Sequence, residues 1–282
     1  MRAGLALVAM AAVGCGTPPA EAPAELQDLS AFLFQRADDE DPAELAAGIA
    51  NLRDLNASVD FSLDAKDRAV TLGILQGDSL DGLPVPPGSD VNNQTPVGLA
   101  RLSDTTIAEN VDLATEPNRV CIESDTTKWA QRTFTEGLDC WPDCELRYEQ
   151  PTRKENPLAR VWYDQFGYYR LVEVTPEEGE PFQAVLHRYW IEEQGQSDGG
   201  NSSWNMLWGL DITYELEGGG LGGYGAFWSW IDVFGIGPDS YPNLVINGLE
   251  QASIFSDEWI DGVRNNEGEC REDRDAEAPE RP

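Results

Sequence analysis

Histidine and basic residues are scarce in this chain of 282 residues. It contains one His, and 19 Lys and Arg stand against 51 Asp and Glu, which gives a formal net charge of -32. Such a charge repels a phosphate backbone, so the sequence argues against nucleic-acid binding. A Ser-His-Asp or Cys-His site would have to use His187, and the chain has no Gly-x-Ser-x-Gly motif. His187 lies among large apolar residues of a predicted strand, where we expect a hydrogen-bonded structural role.

Phosphate-binding and metal-binding patterns are also missing. The glycines at 218–220 and 222–223 lack the GxxxxGK[ST] pattern and are predicted to form a hairpin turn. The acidic run at 38–41 is followed by Pro42, where a calcium-binding EF-hand loop needs glycine. We therefore predict a non-enzymatic protein with no catalytic residue, no metal and no cofactor. A carboxylate-based hydrolase stays open as an alternative, because sequence alone does not place the acidic residues in pairs.

The first residues have the pattern of an export signal. A short basic start precedes an apolar run at 5–13 that is too short to span a bilayer, and Ala12-Val13-Gly14-Cys15 follows. This end resembles the lipobox-type signal peptide of bacterial lipoproteins, which implies that Cys15 becomes the acylated, palmitate-bearing first residue of the mature chain. Gly16 in place of Asp implies the outer membrane. Ala12 departs from the usual Leu, so ordinary signal cleavage and secretion stay the alternative.

The resemblance implies a protein of the bacterial cell envelope, held by a lipid anchor and facing the periplasm or the cell surface. By composition the chain divides into a signal peptide with its lipidation site at 1–15, a flexible tether at 16–24, a single domain at 25–266 and a disordered acidic tail at 267–282. Within the domain we predict helices at 25–57, mostly irregular chain at 58–159, a β-meander at 160–234 and a helix at 243–264.

The clearest strand lies at 204–216. Apolar residues occupy every second position there: Trp204, Met206, Trp208, Leu210, Ile212, Tyr214 and Leu216. Because successive side chains of a strand point to opposite faces, we predict that even-numbered residues face the interior and odd-numbered ones face solvent or a rim. Short turn segments within 160–234 leave no room for crossover helices, so the strands should pair antiparallel. We therefore predict an α+β fold, with this meander packed against N-terminal helices and a long amphipathic C-terminal helix.

Five cysteines are present, and four remain if Cys15 carries lipid. In an exported chain four cysteines indicate two disulfides, for which three pairings exist. We favour Cys140 with Cys144, which leaves Cys121 with Cys270. Zinc coordination by these residues is the competing interpretation, and it is disfavoured because only the first pair has a spacing that metal sites use.

An antiparallel meander closed by a long C-terminal helix is similar to the helix-grip arrangement of START-type lipid-binding domains. The resemblance covers residues 160–263 and departs from that family because the N-terminal helices here precede any clear strand. The domain also resembles uncharacterised bacterial lipoproteins, which implies a shared fold and no known activity.

Two interpretations of the aromatic sheet face stay open. Trp204, Trp208, Trp228 and Trp230 either fill a solid core or line a cavity between the sheet and the C-terminal helix. With a solid core we expect an envelope lipoprotein that binds a ligand or a protein partner through its β-domain. With a cavity we expect a carrier of an apolar ligand.

Overall fold

A computed structural model describes residues 21–80, 82–124, 126–155, 160–197, 202–233 and 237–264. It confirms the predicted fold class, an antiparallel sheet packed against N-terminal helices and one long C-terminal helix. The helices are α1 Leu26–Arg36, α2 Ala43–Asn56, α3 Ala65–Arg68, α4 Ile107–Ala114 and α5 Tyr241–Arg264, and short 3-10 turns lie at Gly77–Leu80, Val91–Asn93 and Pro238–Ser240. The strands are β1 Val70–Thr71, β2 Thr95–Ser103, β3 Thr127–Ala130, β4 Thr133–Glu136, β5 Leu146–Glu155, β6 Arg160–Val174, β7 Phe182–Ile191, β8 Gly195–Ser197, β9 Ser202–Glu215 and β10 Leu221–Val233.

The strands form one sheet in the order β1-β2-β10-β9-β7-β6-β5-β3, with β4 beside β5 and β8 between β6 and β9. Strands β6, β7, β9 and β10 pair antiparallel in chain order, which confirms the predicted meander. Gly218, Gly219 and Gly220 have φ angles of 96°, 103° and 77° in the turn between β9 and β10. Because other residues rarely adopt these angles, the glycine run is what allows this tight hairpin.

Helices α1 and α2 cover one face of the sheet. Leu29 and Leu33 of α1, and Leu45 and Ile49 of α2, are fully buried. Each pair is four residues apart, so it lies on one side of its helix, and that side packs on the sheet. The even-numbered residues of the meander complete this core: Tyr168, Val172, Val174, Phe182, Ala184, Leu186, Met206, Trp208, Leu210, Ile212, Tyr214, Tyr224, Ala226 and Trp228.

Helix α5 covers part of the opposite face. Val245 and Ile246 are buried there against residues of β2 and β10. Farther along α5, Ser103 Oγ of β2 donates a hydrogen bond to Asp257 Oδ1 at 2.8 Å. The short helix α4 begins with a capping box, in which the side chains of Thr106 and Glu109 bond to each other's backbone N–H. Helices α4 and α5 therefore bound a space above the odd-numbered face of the sheet.

The segment at 58–159 has more regular structure than the sequence predicted. Strand β2 pairs with β10, and β5 pairs with β6 along its 10 residues. Strand β5 lacks an apolar alternation because Gln150 and Thr152, although polar, occupy its buried positions. Strand β6 continues without interruption over 15 residues. The polar residues at buried positions explain why the sequence did not predict β5.

Strand β9 is buried on both faces, so the assignment of its odd-numbered residues to solvent or a rim is wrong. Leu207 and Thr213 are only 2% and 7% exposed. Both side chains lie in the wall of the space beneath α5. A strand between two layers is buried on both faces. The alternation of apolar residues identifies only the face that packs in the apolar core, because the other buried face also carries polar residues.

Several predictions fall on residues outside the described ranges. These include the signal peptide with Cys15, most of the tether at 16–24, and the tail at 267–282 with Cys270. Among the helices in the described part of the chain, none combines the length and the apolar character that crossing a membrane requires.

Candidate ligand-binding cavity

A cavity of about 310 Å³ lies between the odd-numbered face of the sheet and α5. Residues of α4 and of the segment at 119–132 also form part of its wall. This volume lies at the lower end of the ~300–1,000 Å³ that small-molecule pockets occupy. Much of the apolar part of the wall comes from β9, β10 and α5, which contribute Trp204, Leu207, Phe227, Ile231, Val245 and Leu249.

Glycines on this face of the sheet make room for the side chains that form the cavity floor. A Cβ atom on Gly209 would lie 2.1 Å from Cζ of Tyr189, and one on Gly225 would lie 2.9 Å from Oδ1 of Asp211. A Cβ on Gly167 would likewise approach the hydroxyl of the Tyr148 side chain to 2.6 Å. The rings and the carboxylate therefore lie low over the neighbouring strands, which leaves space above them.

One polar row crosses the cavity floor. Tyr169 of β6, His187 of β7 and Asp211 of β9 lie opposite one another on adjacent strands. The His187 ring stacks on Tyr169 and on Tyr189, with centroid distances of 4.1 and 4.6 Å. Its Nε2 is 2.6 Å from the Tyr148 hydroxyl, and its Nδ1 is 3.6 Å from Oδ2 of Asp211. The imidazole is thus held on both ring faces and at both nitrogens.

Burial sets the protonation states in this row. It lowers the pKa of His187 to about 4, so the ring is neutral at neutral pH. The Tyr148 hydroxyl then donates to Nε2, and the Nδ1–H faces Asp211. Burial alone would raise the pKa of Asp211, but the hydrogen bond with His187 and the charge of Arg101 bring it below its ordinary value. Asp211 is therefore an anion, with Arg101 Nη1 at 4.0 Å from Oδ1.

A second polar group surrounds Arg132, which is 3% exposed. Its guanidinium carbon lies 3.9 Å from the centroid of the Tyr148 ring. Nη1 donates to the Tyr169 hydroxyl at 2.9 Å, and Nε donates to Oε1 of Gln150 at 3.0 Å. Gln150 in turn donates from Nε2 to Oε1 of Glu123 at 2.6 Å. Neutral groups thus fix the position of this guanidinium in the cavity wall.

Glu123 and Arg119 complete the polar wall. Lys154 Nζ lies 3.6 Å from Oε2 of Glu123. Burial by itself raises the pKa of Glu123, but the charges of Lys154 and Arg119 and the bond from Gln150 bring it below the usual range. Burial, followed by the charge of Arg132, lowers the pKa of Arg119. A guanidinium still keeps its proton at neutral pH, so Arg119 is a buried cation.

Of the four tryptophans considered as cavity residues, the structure places Trp204 in the wall. Trp208 and Trp228 are fully buried under α1 and α2 on the other face of the sheet, and Trp230 packs against that same core. For these three the core interpretation applies, and the cavity interpretation is wrong. Trp204 differs from Trp208 because the pairing of β9 with β10 shifts by one residue between them.

The three described cysteines, Cys121, Cys140 and Cys144, are not among the residues of the cavity wall. Cys140 and Cys144 are joined by a disulfide with Cα atoms 5.7 Å apart, in the connection between β4 and β5. The pairing of Cys121 with Cys270 involves a residue outside the described ranges.

No pattern in the sequence predicts a binding role for the polar wall residues, among them Arg119, Arg132 and Asp211. One available signal was glycine inside strands. Gly209 and Gly225 interrupt otherwise apolar strands, where glycine is unfavourable unless another group approaches the backbone closely. Arg119 and Arg132 carry no comparable signal, because they lie in a segment without apolar periodicity.

No family model matches the chain, and no curated protein matches it. Among solved structures 12 chains match, including the human StarD13 (DLC2) lipid transfer and protein localization domain. That match has 14% sequence identity and a TM-score of 0.34, and it covers 59% of this chain and 77% of that chain. A match at this level carries no information about a ligand.

Proposed function

We propose that this chain is a non-enzymatic binding protein that carries an apolar small molecule between the sheet and α5. The observation that supports this most is the contrast between the two faces of one sheet. Large side chains such as Trp208 and Trp228 fill the face under α1 and α2. The opposite face has glycine at Gly209 and Gly225 and borders a cavity of about 310 Å³. Apolar surface that a ligand buries there is removed from water, which favours binding.

The apolar contacts would come from two sides. Phe227 and Ile231 extend from the sheet, and Val245 and Leu249 extend from α5. Trp204 closes this region, and its ring stacks on Tyr163 at a centroid distance of 5.0 Å. Aromatic and aliphatic walls of this kind accept an alkyl chain or a flat hydrocarbon and do not select its functional groups.

The arrangement of Tyr148, His187 and Asp211 favours binding over hydrolysis. The Tyr148 hydroxyl accepts from Nε2 of Gln165 at 2.8 Å and donates to His187. Burial raises the pKa of Tyr148, so its hydroxyl keeps its proton and is a poor nucleophile. Tyr148 also lies outside the cavity wall that the described residues form. The three residues therefore serve to hold the cavity floor in place.

A matched pair of proteins tests this proposal. Gly248 of α5 lies in the cavity wall, and a Cβ atom there would meet no heavy atom within 4 Å. In Gly248→Leu we expect the new side chain to occupy the cavity, while the helix is stabilised by up to about 1 kcal/mol, since glycine is a weak helix former. Isothermal titration with decanol should show one site in the wild type and strongly reduced binding in the variant. Equal binding by both proteins, or failure of the wild type to bind either decanol or decanoate, would contradict the proposal.

We also propose that the protein works in the bacterial envelope, anchored through Cys15. The lipobox-like residues Ala12-Val13-Gly14-Cys15 support this location. In a bacterial host the full chain should fractionate with the membrane, and Cys15→Ser should move it to the soluble fraction. Retention of the variant in the membrane pellet would count against the anchor and would leave the binding proposal intact.

A further inference from the structure

Two buried arginines share one part of the cavity wall. Arg119 and Arg132 are 7% and 3% exposed. An antiparallel bridge between Asn118 and Gln131 brings their backbones side by side, and the Arg119 N–H donates to the carbonyl of Ala130 at 3.0 Å. Arg119 lies opposite Ala130 and Arg132 lies opposite Pro117, so both arginines are on the same face of this bridge. Two buried like charges on one face cost free energy unless a negative charge offsets them.

Each of the two guanidinium groups keeps N–H donors that have no acceptor among the described residues. Arg119 donates from Nη1 to the carbonyl of Leu113 at 3.0 Å, at the end of α4, while its buried Nε has no hydrogen-bond partner. Arg132 uses Nε and Nη1 for Gln150 and Tyr169. Within the described ranges, no residue accepts from its Nη2, and no carboxylate oxygen lies within 4.0 Å of either guanidinium.

Three of the four carboxylates in the described cavity wall already have a cationic partner. Four basic and four acidic residues line the cavity, whereas the whole chain has 19 basic and 51 acidic residues. Lys154 lies beside Glu123, and Arg101 lies beside Asp211. Glu155 accepts from Arg153 and Arg160, and Asp257 accepts from the neutral hydroxyl of Ser103. Among the described residues of the wall, Arg119 and Arg132 are thus the cations without a carboxylate within 4.0 Å.

From this geometry we infer that the ligand is an amphipathic anion, with a carboxylate or similar oxyanion bound by Arg119 and Arg132 and an apolar body beneath α5. The inference rests on the proposed function and adds the chemical class of the ligand. A guanidinium is suited to this role because its planar N–H groups match two oxygens at once.

The distance between the two ends of the cavity fits such a ligand. Arg132 lies over Tyr169 of β6, and the apolar residues Phe227 and Ile231 belong to β10. Three strand spacings separate β6 from β10, which is about 14 Å at ~4.8 Å for each step. An extended chain of about ten carbons spans a similar length, so decanoate is a suitable probe.

The test compares three probes that differ only in the head group: decanoate, decanol and decylamine, titrated into the full chain at neutral pH. We expect decanoate to bind at least about tenfold more tightly than decanol, because it forms charged hydrogen bonds in a buried site. Decylamine should bind most weakly, because its positive charge is repelled by the arginines. Arg119→Gln should lower the affinity for decanoate about tenfold and leave that for decanol unchanged. Arg132→Gln should act in the same direction, but it also removes contacts with Tyr148 and Tyr169, so Arg119→Gln is the deciding variant.

The control is Arg170→Gln, which removes one positive charge on the other side of the sheet, where Arg170 donates to the backbone of Ala37 and Asp39. It should leave all three affinities unchanged. If decanol binds and decanoate binds no better, or if Arg119→Gln leaves the decanoate affinity unaltered, the anion site is overturned while the proposed function stands. If none of the three probes binds, the proposed function itself fails.

Discussion

Trp204 and Trp208 belong to the same strand and lie on opposite faces of the sheet, four residues apart. Met206 pairs with Trp230, whereas Trp204 pairs with Ile231, so Asn205 has no partner in β10. This β-bulge turns Trp204 toward the cavity and leaves Trp208 in the core under α1. The same strand therefore contributes Trp208 to the core and Trp204 to the cavity wall.

Substitution of the two tryptophans should separate these roles. Trp208→Ala should lower the free energy of unfolding by about 3 to 5 kcal/mol, because a large side chain leaves a packed core. Trp204→Ala should lower the free energy of unfolding by less, because Trp204 is only partly buried. It should also weaken decanol binding several-fold. Urea denaturation and calorimetric titration of both variants measure the two effects. Equal losses of stability with equal affinities would show that the two side chains occupy equivalent sites.

The glycines of the cavity floor allow a second test. Gly209→Ala places a Cβ atom 2.1 Å from Cζ of Tyr189, so the ring has to move and we expect a loss of about 1 to 3 kcal/mol of stability. Gly73→Ala is the control, because a Cβ atom at Gly73 meets nothing within 4 Å. In thermal denaturation, the melting temperature of Gly209→Ala should lie well below that of the wild type, and that of Gly73→Ala should lie close to it. Coincident curves for the two variants would mean that Tyr189 does not lie over Gly209.

The protonation state of His187 predicts a specific pH dependence. Burial lowers the pKa of His187 to about 4 from an ordinary value of 6.5, so the unfolded chain takes up this proton first as the pH falls. The stability that comes from the neutral ring is complete above about pH 6.5 and is lost progressively toward pH 4, up to about 3 kcal/mol in all. The pKa of Asp211 is lowered as well, so its contribution is lost only at more acidic pH.

Comparison with His187→Gln isolates this effect. The glutamine does not titrate, so its stability curve from about pH 7 to about pH 5 should be flatter than that of the wild type. Urea denaturation at several pH values gives both slopes. Identical slopes would show that His187 keeps an ordinary pKa in the folded protein.

A fourth prediction concerns the attachment of α1 to the sheet. Arg188 of β7 is 1% exposed, and its Cζ lies 4.3 Å from the centroid of the Phe34 ring in α1. Its Nη1 forms an ion pair with Oδ2 of Asp38, which follows α1. Asp38→Ala should cost about 1 to 3 kcal/mol because it leaves a buried cation without its partner. Asp39→Ala is the matched control; its pair with Arg36 is partly exposed, and such pairs contribute less than about 1 kcal/mol. A melting experiment in which both variants lose the same stability would contradict the role of Arg188.

The elements with regular apolar spacing were predictable from the sequence. The alternation from Trp204 to Leu216 predicted β9, and the spacing of apolar residues predicted the helix that the structure places at Tyr241–Arg264. The turn glycines 218–220 predicted the hairpin. In each case one physical rule, the periodicity of side chains or the conformational freedom of glycine, acts over neighbouring residues.

The cavity was harder to predict because it depends on contacts distant in sequence. The one-residue shift at Asn205 reverses the face of Trp204 without any local signal. Strand β5 contributes Gln150, a buried polar residue whose partners Glu123 and Arg132 lie in another segment. Such residues look like surface positions until the fold brings them together, and a period-two pattern therefore misses them.

A crystal structure of the full chain grown with decanoate would show whether a ligand occupies the cavity. We expect density for one extended molecule between the sheet and α5, with its chain against Phe227 and Val245 and its carboxylate within hydrogen-bond distance of Arg119. An empty or water-filled cavity at saturating decanoate, with any bound molecule on the outer surface, would contradict this expectation.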